Sequence, residues 1–169
     1  MAIDESIAEL SHALIGELTT AGRTVATAES CTGGWIAKAL TDVAGSSSAF
    51  GFGIVSYANA AKVSMLGVRE QTLEQQGAVS EATVNEMVSG ALALSGADIA
   101  VAVSGVAGPD GGTADKPVGT VWFAWGRQTS AGMELTTMRK QFDGDREAVR
   151  ARTVIEALQG LRERLREYG

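Results

Sequence analysis

The run Ile99-Ala100-Val101-Ala102-Val103-Ser104 limits the possible folds more than any other stretch of this sequence. It is continuously apolar and rich in β-branched residues, a pattern typical of a strand that is covered on both faces. Such a strand needs a layer of helices on each side of its sheet. The chain has helical patterns before and after this run, and 169 residues suffice for one domain with a sizeable core. We therefore predict a single α/β domain over residues 1–169.

Helical patterns alternate with apolar runs along the first part of the chain, and two extended runs follow each other later. Helices are predicted over 4–20, 33–43, 58–66, 69–76, between Ser80 and Gly96, and over 145–167. Strands are predicted over 24–28, 49–57, 99–104, 118–125 and 133–142. The last two strands flank a turn at 128–132, which favours an antiparallel pair. The expected architecture is a three-layer α/β/α domain with a mixed β-sheet.

Charge and composition exclude several classes of function. The formal net charge is −6, which disfavours binding to nucleic acid or to an anionic membrane. No apolar run reaches the roughly 18 residues of a membrane span, and the first residues lack the pattern of a signal peptide. Cys31 is the only cysteine, so no intrachain disulfide can form. We expect a cytoplasmic, soluble protein, and no residue spacing indicates a metal site.

The segment Thr27–Gly34 joins a predicted strand to a predicted helix and is the first candidate for a site. The first turn of a helix has unpaired N–H groups, which together with the helix dipole can bind a phosphate or an oxyanion. Gly33 and Gly34 would let a ligand approach the backbone. Three nucleophile-capable side chains lie in this turn: Ser30, Cys31 and Thr32. The alternative is an ordinary turn in which Ser30 or Thr32 only caps the helix.

A serine or cysteine nucleophile needs a base, and the choice in this sequence is narrow. His12 is the only histidine and falls on the polar face of the first predicted helix, so we expect it at the surface. Lys62 alone among four lysines lies one turn into a helix that directly follows a strand. Burial would help it lose its proton, although most lysines are simply solvated. Cys31 is intrinsically the better nucleophile, and a helix N-terminus lowers the pKa of a thiol, but small cysteines at such turns are often packed inside.

Ligands of α/β sheets bind at the carboxyl ends of the strands. That rule brings Ser30, the segment Tyr57–Lys62 and the pair Ser104-Gly105 to one rim. The glycine-rich loop over 105–112 matches neither a Walker loop nor a dinucleotide fingerprint, so neither ligand class is indicated.

Arg146 joins the same rim at the start of the last predicted helix. A positive charge there opposes the helix dipole by about 0.3–1 kcal/mol. A bound phosphate would offset that cost, and the neighbouring Asp145 and Glu147 offer the purely structural alternative.

Six motifs, in order along most of the chain, carry a resemblance to a known family. They lie over 27–34, 55–62, 77–80, 103–109, 116–121 and 144–146. With them the chain resembles the CinA C-terminal domain family, the nicotinamide mononucleotide amidohydrolases. The resemblance implies a cytoplasmic enzyme that converts nicotinamide mononucleotide and water to nicotinate mononucleotide and ammonia. Family members also occur fused to a second domain, whose pyrophosphatase activity is not assigned to this chain.

The resemblance also implies a serine nucleophile at Ser30, with Tyr57 and Lys62 as its partners. Lys62, directly or through Tyr57, would take the proton of Ser30, and N–H groups around Cys31, Thr32, Gly33 and Gly34 would hold the oxyanion. Arg146, Ser104 and Gly105 would hold the 5′-phosphate. Ser104 stands where we expect a threonine in many relatives, a change that keeps the hydroxyl. We expect no metal and no cofactor, and we expect the protein to form a homo-oligomer.

Two other functions remain open from the sequence. One is an amidase for a different small amide. The other is a non-catalytic module that binds the nucleotide and releases no ammonia.

Overall fold

A computed structural model describes residues 2–168 as one mixed sheet with helices on both faces. The strands are β1 Val25–Glu29, β2 Phe50–Val55, β3 Ile99–Gly105, β4 Thr120–Thr129 and β5 Gly132–Gln141. The helices are α1 Ala2–Ala21, α2 Trp35–Thr41, α3 Asn59–Leu66, α4 Glu70–Gln76, α5 Glu81–Ser95 and α6 Arg146–Arg166. A single 3₁₀ turn covers Ser46–Ser48.

The strand order is β2-β1-β3-β4-β5. Strands β2, β1 and β3 are parallel, β4 is antiparallel to β3, and β5 is antiparallel to β4. The apolar run that was predicted to lie inside forms β3, the central strand. Its side chains alternate between two cores, as the two-residue period of a strand requires. Val101 and its neighbours on one face contact the core under α1, α2 and α6, while Ala102 on the other contacts the core under α3, α4 and α5. The predicted three-layer α/β/α architecture with a mixed sheet is confirmed.

Several predicted boundaries differ from the structure by a few residues, and two of the differences have identifiable reasons. The strand predicted over 118–125 extends to Thr129 as β4, because the ladder continues over polar residues whose side chains pair across it, such as Arg127 with Glu134. The helix predicted from residue 33 begins at Trp35. Gly33 and Gly34 have φ angles of 61° and 100°, in the left-handed region, and therefore form the turn that precedes the helix.

The topology brings the ends of six elements to one edge of the sheet. The parallel strands β1, β2 and β3 all end there, and β4 begins there because it runs antiparallel to β3. β5 returns the chain to the same edge, where α6 starts at Arg146. Among the described helices, none combines the length and the hydropathy that a bilayer crossing requires.

Candidate active site

The turn after β1 is built around the carboxylate of Glu29, which is fully buried. Its oxygens accept hydrogen bonds from the Thr32 hydroxyl at 2.6 Å and from the N–H groups of Ile36 at 2.8 Å and Ala37 at 3.0 Å. The chain thus caps α2 with its own carboxylate, the charge that a helix N-terminus favours. The N–H groups of Ile36 and Ala37, in the helix turn predicted to face a ligand, are therefore occupied from inside.

Three residues of the turn do not line the cavity that lies in front of Ser30: Thr32, Gly33 and Gly34. Thr32 is fully buried and donates to Glu29. Gly33 and Gly34 line a separate groove, and their positive φ angles account for the glycines without a ligand. Their placement therefore gives no support for substrate binding by the side chain of Thr32 or by the two glycines.

Ser30 and Lys62 form a direct, buried contact. Lys62 Nζ lies 2.9 Å from Ser30 Oγ, and the exposed fractions of the two residues are 8% for Ser30 and 1% for Lys62. The Ser30 N–H donates to Val103 O of β3 at 3.1 Å, which fixes the serine backbone to the central strand. Lys62 lies on α3 and reaches back beneath the end of β2. The predicted convergence of the two elements is confirmed.

Lys62 Nζ has two further acceptors, the carbonyl oxygens of Ser56 at 2.8 Å and Tyr57 at 3.1 Å. No carboxylate within residues 2–168 makes an ion pair with it. Burial disfavours the charged ammonium and lowers the pKa of Lys62 below its ordinary value, an effect that the nearby Cys31 only partly opposes. An amine in this environment can accept the proton of the serine hydroxyl.

Cys31 lies beside Ser30 but in an environment that suppresses its reactivity. Burial raises the pKa of its thiol to about 12. The expectation that the helix N-terminus would lower this pKa is wrong, because loss of solvent dominates and the Glu29 charge adds to it. Since the thiolate is the reactive form, the local chemistry favours the Ser30 hydroxyl as the nucleophile.

The cavity in front of Ser30 has a volume of about 290 Å³. Seven of the ten residues predicted for the site line it: Ser30, Cys31, Tyr57, Lys62, Ser104, Gly105 and Arg146. Gly105 is required by packing as well, because a Cβ there would lie 2.7 Å from Thr120 O on β4. Asn59, Asp110 and the segment 78–79 also line the cavity and were not singled out from the sequence.

Arg146 crosses the mouth of this cavity. Its Nη1 donates to Gly108 O at 2.6 Å, and its Nη2 donates to the Tyr57 hydroxyl at 3.2 Å. Tyr57 therefore faces Lys62 with its carbonyl oxygen and Arg146 with its hydroxyl, and 61% of the residue is exposed. The exposed guanidinium places a positive charge where an anionic group would enter.

Arg150 is a second arginine of α6 that the sequence reasoning missed. Its Nε donates to Cys31 O and its Nη2 to Thr32 O, both at 3.1 Å. It follows Arg146 by one helical turn and so lies on the same face of α6, which is the one signal in the sequence that could have identified it.

His12 is exposed on α1, as predicted, and does not line the cavity of Ser30. Between residues 2 and 168, no three His, Cys, Asp or Glu side chains come together in a way that could hold a metal ion.

Known proteins with the same sequence pattern and fold give this geometry a context. A model of the family described as CinA C-terminal domain matches residues 7–165. A protein of Escherichia coli K12 named nicotinamide-nucleotide amidohydrolase PncC is 54% identical over 158 residues, which cover 94% of each chain. A protein of Pseudomonas putida with the same name is 61% identical over 137 residues, covering 81% of this chain and 83% of its own.

A solved structure has the same fold at high similarity. It is the crystal structure of a competence-damaged protein (CinA) superfamily protein from Klebsiella pneumoniae, with 44% sequence identity and a TM-score of 0.89. The match covers 95% of this chain and 98% of that one. The resemblance seen in the six sequence motifs therefore extends over the whole fold.

Proposed function

Because the chain belongs to the CinA C-terminal domain family, we propose that it is an amidohydrolase that converts nicotinamide mononucleotide and water to nicotinate mononucleotide and ammonia. The names of its relatives supply the substrate. The buried contact between Ser30 Oγ and Lys62 Nζ at 2.9 Å carries the mechanism, because it pairs a nucleophile with a base inside a cavity.

Acylation begins when the neutral Lys62 amine takes the proton of Ser30. The Oγ atom attacks the carboxamide carbon, and the carbonyl oxygen becomes an oxyanion. When the tetrahedral intermediate collapses, the C–N bond breaks and the Lys62 ammonium returns its proton to the nitrogen, which leaves as ammonia. Ser30 then carries the nicotinoyl group as an ester.

Deacylation repeats these roles with water as the nucleophile. Lys62 takes a proton from water, the resulting hydroxide attacks the ester carbon, and the proton passes to Ser30 Oγ as the ester bond breaks. Nicotinate mononucleotide leaves and the free serine is restored. Tyr57 is a positioning residue in this scheme, because its carbonyl oxygen holds the Lys62 amine in place.

The oxyanion needs donors that are not already bonded. The Ser30 N–H is bound to Val103 O, and the Gly33 N–H to Ser30 O. Among the described residues, no backbone carbonyl accepts from the N–H groups of Cys31 or Thr32. These two N–H groups directly follow the nucleophile, which makes them the best candidates for the oxyanion.

Arg146 is the proposed ligand of the 5′-phosphate. Its guanidinium lies at the cavity mouth, and a phosphate could take over the contacts that it now makes with Gly108 and Tyr57. Ser104 and Gly105 line the wall between this arginine and the reacting pair and are proposed to contact the same nucleotide.

The biological setting forms part of the same proposal. The net charge of −6 disfavours binding to nucleic acid or to an anionic membrane. We propose that the enzyme is cytoplasmic and acts on a free nucleotide. Both edge strands expose large apolar side chains, including Phe52 on β2 and Met133 on β5, and we propose that such surfaces join copies of the chain in a homo-oligomer.

The test is ammonia release from nicotinamide mononucleotide by the wild type, Ser30→Ala and Cys31→Ala. Ser30→Ala should abolish turnover and still bind the nucleotide, because it loses only the attacking oxygen. Cys31→Ala is the matched control, a neighbouring loss of a nucleophilic atom, and should keep substantial activity. An inactive Cys31→Ala beside an active Ser30→Ala would reverse the assignment. Binding without ammonia release by the wild type would indicate a non-catalytic module, and release from other amides alone a different substrate.

A further inference from the structure

The guanidinium of Arg150 makes all its hydrogen bonds to the backbone of the nucleophile turn, and it lies over the Trp35 ring at 5.6 Å from the ring centroid. It lies on α6, half-buried, and outside the lining of the cavity. Among residues 2–168 it forms no ion pair with a carboxylate. Its hydrogen bonds go to Cys31 O and Thr32 O, the two carbonyl groups that follow Ser30 in the chain. The substrate therefore does not explain this arginine, and neither does a charge partner.

The rest of the turn is held from other directions. The Ser30 N–H is bound to β3, and the Ser30 carbonyl accepts from the Gly33 N–H at 3.1 Å. Glu29 holds the start of α2 through Ile36 and Ala37. The Thr32 carbonyl accepts from the Trp35 N–H at 3.1 Å. Among the described residues, no backbone N–H donates to the Cys31 carbonyl. Arg150 supplies the anchor for the Cys31 carbonyl and a second donor for the Thr32 carbonyl.

Fixing a carbonyl also fixes an N–H group. A trans peptide unit is planar, with its C=O and N–H pointing in opposite directions. When Arg150 holds Cys31 O, it sets the direction of the Thr32 N–H, which belongs to the same peptide unit. A charged donor on the oxygen also polarises the unit and makes that N–H a stronger donor.

We propose that Arg150 is a positioning residue for acyl transfer at Ser30. Its guanidinium holds the Cys31 carbonyl and thereby orients the Thr32 N–H, one of the two N–H groups proposed to stabilise the oxyanion. This role rests on the proposed amide hydrolysis, since it places Arg150 behind the same nucleophile. Because Arg150 does not line the cavity, we expect its replacement to weaken stabilisation of the transition state and to leave binding of the substrate unchanged.

The decisive comparison uses the full chain with Arg150→Met, Arg150→Lys and Arg152→Met. Arg152 is the matched control because it lies on α6 two residues later and also donates to a backbone carbonyl, Asp143 O at 2.5 Å. We expect Arg150→Met to lower kcat for nicotinamide mononucleotide about 10- to 100-fold, with KM within about threefold of wild type. Arg150→Lys should give an intermediate kcat, because an ammonium is a point donor without the fork that spans both carbonyls. Arg152→Met should keep the wild-type kcat.

Three results would overturn the positioning role. A rise in KM at constant kcat would make Arg150 a substrate ligand. A wild-type kcat in Arg150→Met would leave the arginine without a catalytic effect. A loss of activity that merely follows a fall in the melting temperature, with no rescue by Arg150→Lys, would make it an ordinary stabilising contact.

A second measurement separates this role from the choice of substrate. A fluorophosphonate reacts with an activated serine and develops negative charge on oxygen without needing the nucleotide. Slower labelling of Ser30 in Arg150→Met than in Arg152→Met supports the positioning role even if the wild type releases no ammonia from nicotinamide mononucleotide. Equal labelling rates contradict the positioning role even if that substrate is hydrolysed.

Discussion

Replacement of Lys62 by methionine tests the central chemical claim. Methionine is a flexible side chain of similar length and can fill the same buried space, so the fold should persist. The variant loses the amine that lies 2.9 Å from Ser30 Oγ. Removing a general base costs about 10²- to 10⁴-fold in rate, or about 2.7–5.5 kcal/mol of transition-state stabilisation. Because only 1% of Lys62 is exposed, solvent cannot easily supply a substitute base, and we expect a loss near the upper end.

The pH dependence of activity is an independent test of the role of Lys62. Burial lowers the pKa of Lys62, and the active form is the neutral amine. The wild-type kcat/KM should therefore rise with pH as Lys62 loses its proton, and this rise should begin below the pKa of an ordinary lysine. Lys62→Met should lack that step. Ammonia release measured between pH 6 and about 10 gives both curves.

Lys62→Arg supplies the control for charge. Arginine restores the positive charge but cannot give up its proton in the working range, so it should be as inactive as methionine. A substantially active Lys62→Arg would refute proton transfer and leave Lys62 as a charge only. A wild-type activity that falls with rising pH through neutrality would refute the neutral-amine mechanism as well.

Two further predictions concern the anion contact and the turn. Arg146→Ala should raise KM for nicotinamide mononucleotide by about one to two decades, since charged hydrogen bonds contribute about 1.5–3 kcal/mol, and should leave turnover of the riboside almost unchanged. An equal loss with both substrates would mean that the phosphate binds elsewhere. Glu29→Gln should lower the free energy of unfolding by about 1–3 kcal/mol, because the new NH₂ group would face the N–H of Ile36 or Ala37, donor against donor. Denaturant titration measures this change, and an unchanged unfolding midpoint would contradict it.

The sequence was sufficient for the layers and for the convergence of Ser30 with Lys62. The central strand could be recognised because a continuous apolar run has few alternatives, and the rim followed from the rule that parallel strands end together. The helix predicted between Ser80 and Gly96 begins directly after Ser80, whose side chain accepts a hydrogen bond from the Thr83 N–H. These are local or topological properties, and residue patterns carry them directly.

The supporting contacts were not predictable in the same way. In the sequence Glu29 is a charged residue beside a predicted turn. The neighbouring residues do not indicate that its carboxylate is buried and accepts hydrogen bonds from Ile36 and Ala37. Arg150 is 119 residues from Cys31, so its contact depends on how α6 packs against the sheet. The choice between the two alternatives for Cys31 could not be made for the same reason, because the burial that raises the pKa of its thiol comes from packing and not from the adjacent helix end.

Ser30 and Lys62 lie on elements that differ in their free energy of local unfolding. Ser30 follows β1, whose residues are all buried, whereas Lys62 follows the edge strand β2, of which most residues are exposed. Edge elements with few buried contacts open locally at lower free energy than the rest of a fold. Partial denaturation should therefore detach β2 and α3 before β1 and withdraw the base from an otherwise intact nucleophile turn. Loss of activity on heating would then precede loss of helical signal, and it would be reversible as long as the central strands stayed paired.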